Sequence, residues 1–214
     1  MRVSHMRKAL ILGMLATAVS HAAVLYNNTT GDQQFSAVYS TGFTHIGDRV
    51  QLGAESTLDS LDTQFYNVGT DATFDATVTF YEAGSPLGNA IGSSFTVTGI
   101  SITGATSQTV SFTNLGSLLV PADLVVIFTV QNVSAGGDIG VNFFDPPSVG
   151  TSSNTFFITN DGTGFAESWT LLDIDNLYLL VNGDVANTGI PEPGTWGLVL
   201  GALGALAYRR SRHS

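Results

Sequence analysis

From residue 73 to residue 81 the chain alternates apolar and polar side chains, with Phe74, Ala76, Val78 and Phe80 on one face and Asp75, Thr77 and Thr79 on the other. A period of two belongs to a half-buried β-strand, whose successive side chains point to opposite faces. Phe95, Val97, Gly99 and Ile100 follow the scheme less strictly, Val110 and Phe112 repeat it, and the apolar run 124–130 suits the middle of a sheet. Further strands are predicted over residues 35–39, 49–52, 60–67, 139–144, 155–159 and 177–182. Turn formers separate them: Gly84-Ser85-Pro86, Pro121-Ala122-Asp123, Gly136-Gly137-Asp138, Pro146-Pro147 and Asn160-Asp161-Gly162. No segment between residues 23 and 184 carries a 3.6-residue stripe. Around ten short strands in one domain predict an all-β fold, an antiparallel β-sandwich. A jelly roll is favoured over an immunoglobulin-like sandwich, because eight strands with a few extras match the count and the length.

The two ends follow other patterns. Arg2, Arg7 and Lys8 precede an apolar segment, 9–19, and Ser20-His21-Ala22 puts small residues where a signal peptidase reads. This predicts a signal helix over 1–22 and cleavage between Ala22 and Ala23. The domain is then 23–184 and a short linker 185–189. At the other end Pro191-Glu192-Pro193 disfavours helix, an apolar run follows over 196–208, and Arg209, Arg210 and Arg212 close it as a membrane stop. Thirteen helical residues at ~1.5 Å each reach roughly 20 Å, against a hydrocarbon core of ~30 Å. So short a helix suits a temporary anchor, with the domain outside the cytoplasm.

The sequence Ile190-Pro191-Glu192-Pro193-Gly194-Thr195-Trp196, with the Leu/Gly/Ala run and the arginines behind it, resembles the PEP-CTERM sorting signal of exported proteins of Gram-negative bacteria. The resemblance spans residues 190–214 and implies that the chain is a substrate of exosortase, a membrane-embedded transpeptidase. It implies cutting near Pro191-Glu192-Pro193 and delivery from the inner membrane, with the domain in the periplasm, to the cell surface or extracellular matrix. Proteins with this tail are generally linked to exopolysaccharide and biofilm.

Charge narrows the choice of partners. Between Ala23 and Gly189, Arg49 stands alone against sixteen acidic residues. Such a field repels phosphate backbones, so no nucleic-acid partner is expected. The chain has no cysteine, which removes thiolate metal sites and thiol nucleophiles, and a domain of this length needs no disulfide to hold a core.

Candidate chemistry is sparse. His45 is the domain's only histidine and no Gly-x-Ser-x-Gly elbow accompanies it, so it reads as structural or solvated rather than as a catalytic base. Glu55, Glu82, Glu167 and thirteen aspartates offer carboxylates for glycoside hydrolysis, but nothing in the spacing sets two of them a catalytic distance apart. Calcium would find its densest oxygen donors at Asn160-Asp161-Gly162 and Asp173-x-Asp175-Asn176, neither of which follows an EF-hand. Arg49 is expected to form a bidentate pair with a carboxylate across a sheet and so to fix register. Trp169 and Tyr26, Tyr39, Tyr66, Tyr81 and Tyr178 are the aromatic platforms on which a sugar would stack. The expectation is a non-enzymatic exported surface or matrix protein without a required cofactor. The alternative is a surface-tethered glycoside hydrolase that uses paired carboxylates.

Overall fold

The computed structural model describes residues 22–38, 45–84, 87–159, 166–167 and 176–186. The expected signal segment before Ala22, Tyr39, Asn160-Asp161-Gly162, Trp169, Asp173, Asp175 and the expected sorting signal 190–214 lie outside the described residues.

The described residues form thirteen strands: β1 Ala23–Asn27, β2 Asp32–Val38, β3 His45–Gln51, β4 Ser56–Asn67, β5 Ala72–Ala83, β6 Leu87–Ile102, β7 Thr106–Val120, β8 Asp123–Gln131, β9 Ile139–Asp145, β10 Thr151–Thr159, β11 Ala166–Glu167, β12 Asn176–Leu177 and β13 Leu179–Val185. Every pairing is antiparallel, and the strands make two sheets. The all-β expectation holds, and the predicted strands fall on observed ones, except that 49–52 runs one residue past β3, 35–39 is described only as far as Val38 and 177–182 is divided between β12 and β13.

One sheet runs β11-β10-β3-β8-β5-β6. Its middle strand, β8, is buried on both faces, as its unbroken apolar run requires. Leu124, Val126 and Phe128 join the main core, while Val125 and Ile127 pack with Phe157 and Tyr81 in a second, smaller cluster. On β5 the alternation is realised: Phe74, Ala76, Val78 and Phe80 are buried. The intervening hydroxyls pair across to β6, Thr77 with Thr96 and Thr79 with Ser94, at 2.8 Å each. The looser pattern on β6 has a physical cause. Gly99 adopts φ 66° and makes a bulge, so Ala76 faces Val97 while Phe74 faces Ile100, and Ile100 rather than Gly99 turns inward.

In the other sheet β4 is flanked along one edge by β7. Its second edge is shared. Thr63 to Ser56 pair with β13, whereas Phe65, Tyr66 and Asn67 pair with β9, which carries β2 on its far side. The sheet therefore forks at the Thr63 to Phe65 level. Residues 177–182, predicted as one strand, are divided at Tyr178 because β12 pairs with β9 and β13 pairs with β4. Tyr178 bridges both sides of the fork: its N–H donates to the Asn142 carbonyl at 3.0 Å, and its carbonyl accepts from Thr63 Oγ1 at 3.0 Å.

β1 and the two-residue β11 are the described strands the periodicity does not predict, and β1 is the longer. A register shift between Val24 and Tyr26 breaks the alternation of β1, so Leu25 and Tyr26 are both buried although adjacent. It lines β13 with Ala23 opposite Gly183. β13 remains paired through Val185, opposite Ser56, and the Ala186 N–H bonds the Glu55 carbonyl at 2.8 Å.

Between the sheets sits one apolar core. At its centre Phe65 meets Phe74 edge-on at 5.1 Å and Phe128 at 6.1 Å, and Phe112 lies 5.9 Å from Phe128. Edge-to-face packing of this kind is the arrangement ring quadrupoles favour.

Candidate functional site

Three places gather polar side chains. At the pole where β1 begins and β13 ends, an open groove of about 550 Å³ is lined by Arg49, Glu55, Glu82, Pro121 and Asp123 with Ile91 and Leu119. Arg49 meets Asp123 bidentately, Nε to Oδ1 at 2.9 Å and Nη2 to Oδ2 at 2.6 Å, so the expected pair exists and bridges β3 to β8. The two side chains are 33% and 35% exposed, which makes the pair a partly solvated one. Glu55 and Glu82, far apart in sequence, line the same groove. Among the described residues the groove has no aromatic wall.

At the opposite pole the β4–β5, β6–β7 and β8–β9 turns are knitted together. Buried Asn67 accepts from the Gly69 and Asp138 N–H groups at 2.9 and 3.0 Å and donates to the Thr70 carbonyl at 2.6 Å. Asp75 accepts from Asn132 Nδ2 at 2.6 Å and from the Gly99 N–H at 2.8 Å. Those donors, Asn132 first, hold its carboxyl below the usual carboxylate range.

The third place is the fork itself. Asn28, fully buried, sets the two N–H donors of its amide among the carbonyls of Phe144, Asn176 and Leu177, at 3.0, 3.2 and 3.0 Å. It thus ties the end of β1 to β9 and β12. Asn176 Nδ2 donates to Asp145 Oδ1 at 2.9 Å, and the Leu177 N–H donates to Asp48 Oδ2 at 3.0 Å. The last bond crosses from one sheet to the other. Asp48 lies on the inward face of β3 between Ile46 and Val50, all three fully buried. Ser152 Oγ lies 3.5 Å from Asp48 Oδ1 and donates to the Arg49 carbonyl at 3.1 Å. Tyr26 completes the group. Burial first, then the charges of Asp48 and Asp145, raise its hydroxyl well above the usual tyrosine range.

The remaining sequence-derived candidates are dispersed. His45 opens β3 half-buried, and burial lowers its pKa. Tyr26 is in the core, Tyr66 and Tyr81 are half-buried, and Tyr178 packs edge-on against Phe144 at 5.1 Å. Of the acid run expected to attract calcium, Asn176 is described, and it sits in the fork. Ala22 and Ala23, the expected signal cleavage pair, are exposed at the start of β1. Among the described residues no group of three or more His, Cys, Asp or Glu side chains is arranged to hold a metal, and no helix is long and apolar enough to cross a membrane.

Sequence inspection missed the fork. Asn27-Asn28-Thr29-Thr30 has the form of a glycosylation acceptor, which conveys nothing of Asn28's actual task. Asp48 did leave a signal, because it interrupts an inward-facing series, Ile46-x-Asp48-x-Val50.

These features define a two-sheet antiparallel all-β protein with an acidic surface groove at one pole and a buried polar junction between its layers. No family model, curated protein or solved structure matches the chain.

Proposed function

We propose that this chain is an exported, non-enzymatic surface or matrix protein, released or transferred by exosortase and associated with extracellular polysaccharide. The observation that carries it is the fixed order at residues 190–212: Pro191-Glu192-Pro193, a short apolar run, then Arg209, Arg210 and Arg212. The geometry of the domain supports it. β1 starts where β13 ends, Ala23 opposite Gly183, so a leader and a tail would leave from one pole. Both could then sit in one membrane while the turns around Asn67 face away from it.

The fold is proposed to be a jelly roll. The strand order β2-β9-β4-β7 in one layer and β3-β8-β5-β6 in the other supports that topology over the immunoglobulin-like one. In this view β1 and β12–β13 form a wedge inserted at the fork, and β10–β11 extend the second layer.

Intact-mass analysis of the secreted protein tests the sorting proposal. The expected product begins at Ala23 and ends near Pro191-Glu192-Pro193, whereas a tail retained through Ser214 in cells with active exosortase would refute it.

A second reading, a surface glycosidase, draws on the presence of Glu55 and Glu82 in one groove. Turnover of the matrix polysaccharide that Glu55→Gln or Glu82→Gln abolishes would favour it. Binding without product would leave the non-enzymatic proposal standing.

A further inference from the structure

Both sheets build the groove beside Arg49. Glu82, Ile91 and Asp123 come from β5, β6 and β8 of one sheet, Leu119 from β7 of the other, and Glu55 from the turn before β4. Its charges are unbalanced. Arg49 is engaged bidentately by Asp123, whereas Glu55 and Glu82, both exposed, form no salt bridge among the described residues. Asn89 Nδ2 donates to Glu82 Oε2 at 3.1 Å and so orients that carboxylate without neutralising it. Leu119, 51% exposed, adds an apolar wall left in water.

These features sort the polymers that an extracellular domain meets. A polyanion is repelled, because sixteen acidic residues outnumber one arginine between Ala23 and Gly189. A neutral sugar relies on stacking against an aromatic ring, and among the described residues none lines the groove. An ammonium group suits what remains. It donates up to three hydrogen bonds, strongest to carboxylates, and the carbon skeleton that bears it can cover Leu119 and Pro121.

We propose that this groove binds an amine-bearing polysaccharide, its ammonium groups on Glu55 and Glu82 and its ring carbons against Leu119 and Pro121. The positive charge follows from the groove itself, and the choice of a polysaccharide over a basic peptide rests on the matrix role proposed above. At about 550 Å³ and open to solvent, the groove admits an internal stretch of a long polymer as well as its end.

Isothermal titration calorimetry on the purified full chain in nonionic detergent tests it, at a pH where the amines are protonated. The probes are a glucosamine oligomer, the same oligomer N-acetylated, a uronic acid oligomer and oligolysine. The glucosamine oligomer is expected to bind most tightly. Glu55→Gln and Glu82→Gln should each weaken that binding about 3–10-fold. Asp71→Asn, which removes one charge from the β4–β5 turn at the opposite pole, should leave it unchanged. Both glutamates are exposed, so their variants keep the fold, which an unchanged thermal midpoint verifies. Equal losses in all three variants would mean diffuse attraction to an acidic surface and overturn the site. Oligolysine bound as tightly as the glucosamine oligomer would overturn the choice of polysaccharide. Tighter binding of the acetylated or uronic acid oligomer would overturn the amine preference and leave matrix association standing. No binding of any oligomer would overturn both, with the sorting proposal still decided by intact mass.

Discussion

The space between the two sheets has two unlike regions. Around Phe65 it is filled by rings: Phe74, Phe112 and Phe128 meet edge-on or tilted, with no polar atom to satisfy. Around Asn28 it is filled by amides and carboxylates, with Asp48, Asn176 and Tyr26 equally out of reach of water. The rings cohere through area and close packing, tolerant of small shifts in direction. The amides cohere only if each donor finds its acceptor, so that region specifies geometry more than it adds attraction. The difference matches where each lies. The rings come from β4, β5, β7 and β8, which face one another across the two sheets, and the polar group sits where the end of β1 meets β9 and β12.

The largest effect should come from emptying the aromatic region. Phe65→Ala is expected to cost about 3–5 kcal/mol in a denaturant titration, from lost transfer energy and the cavity left behind. A cost below that of any fork variant would mean that the rings are not the main anchor. Next comes Asn28→Ala, which strips the donors from three carbonyls. Its expected cost is about 1–3 kcal/mol. It should also raise amide hydrogen exchange at Leu177 and Leu179, on the β12–β13 wedge, before exchange rises at β5 or β8. Uniform exchange across both regions would erase the contrast. The smallest change is expected at the surface. Arg49→Ala should lower stability by about 0.2–1 kcal/mol, because a pair one-third exposed is screened by water. An unchanged midpoint would show that the pair adds nothing to register. A loss exceeding that of Asn28→Ala would reverse the order of buried and exposed polar contacts.

The aromatic region was legible along the chain. Phe74, Ala76, Val78 and Phe80 announce their shared face by spacing alone, and the unbroken run of β8 announces a strand covered on both sides. The fork was much less so. Asn28 reaches carbonyls 116, 148 and 149 positions away, and no local pattern encodes such a meeting. β1 escaped because its register shift buries two neighbours, Leu25 and Tyr26, and cancels the period of two. The break at Tyr178 escaped for a related reason: 177–182 has the period of one strand, and only its two different partners divide it. The groove was half legible. A carboxylate for Arg49 was expected, but that it would be Asp123, with Glu55 and Glu82 alongside, depended on which strand ends share a pole.

By itself, then, the sequence determined most of the strands, the single basic residue in an acidic stretch and the order of basic, apolar and Pro-Glu-Pro segments toward its two ends. Each of these is a property of neighbouring residues, set by side-chain alternation or by composition. Only the tertiary structure decided which edges pair, where one sheet forks and which carboxylates face inward together. Those outcomes arise from contacts between segments more than a hundred residues apart, where burial leaves each polar group to be matched by whatever the fold brings beside it.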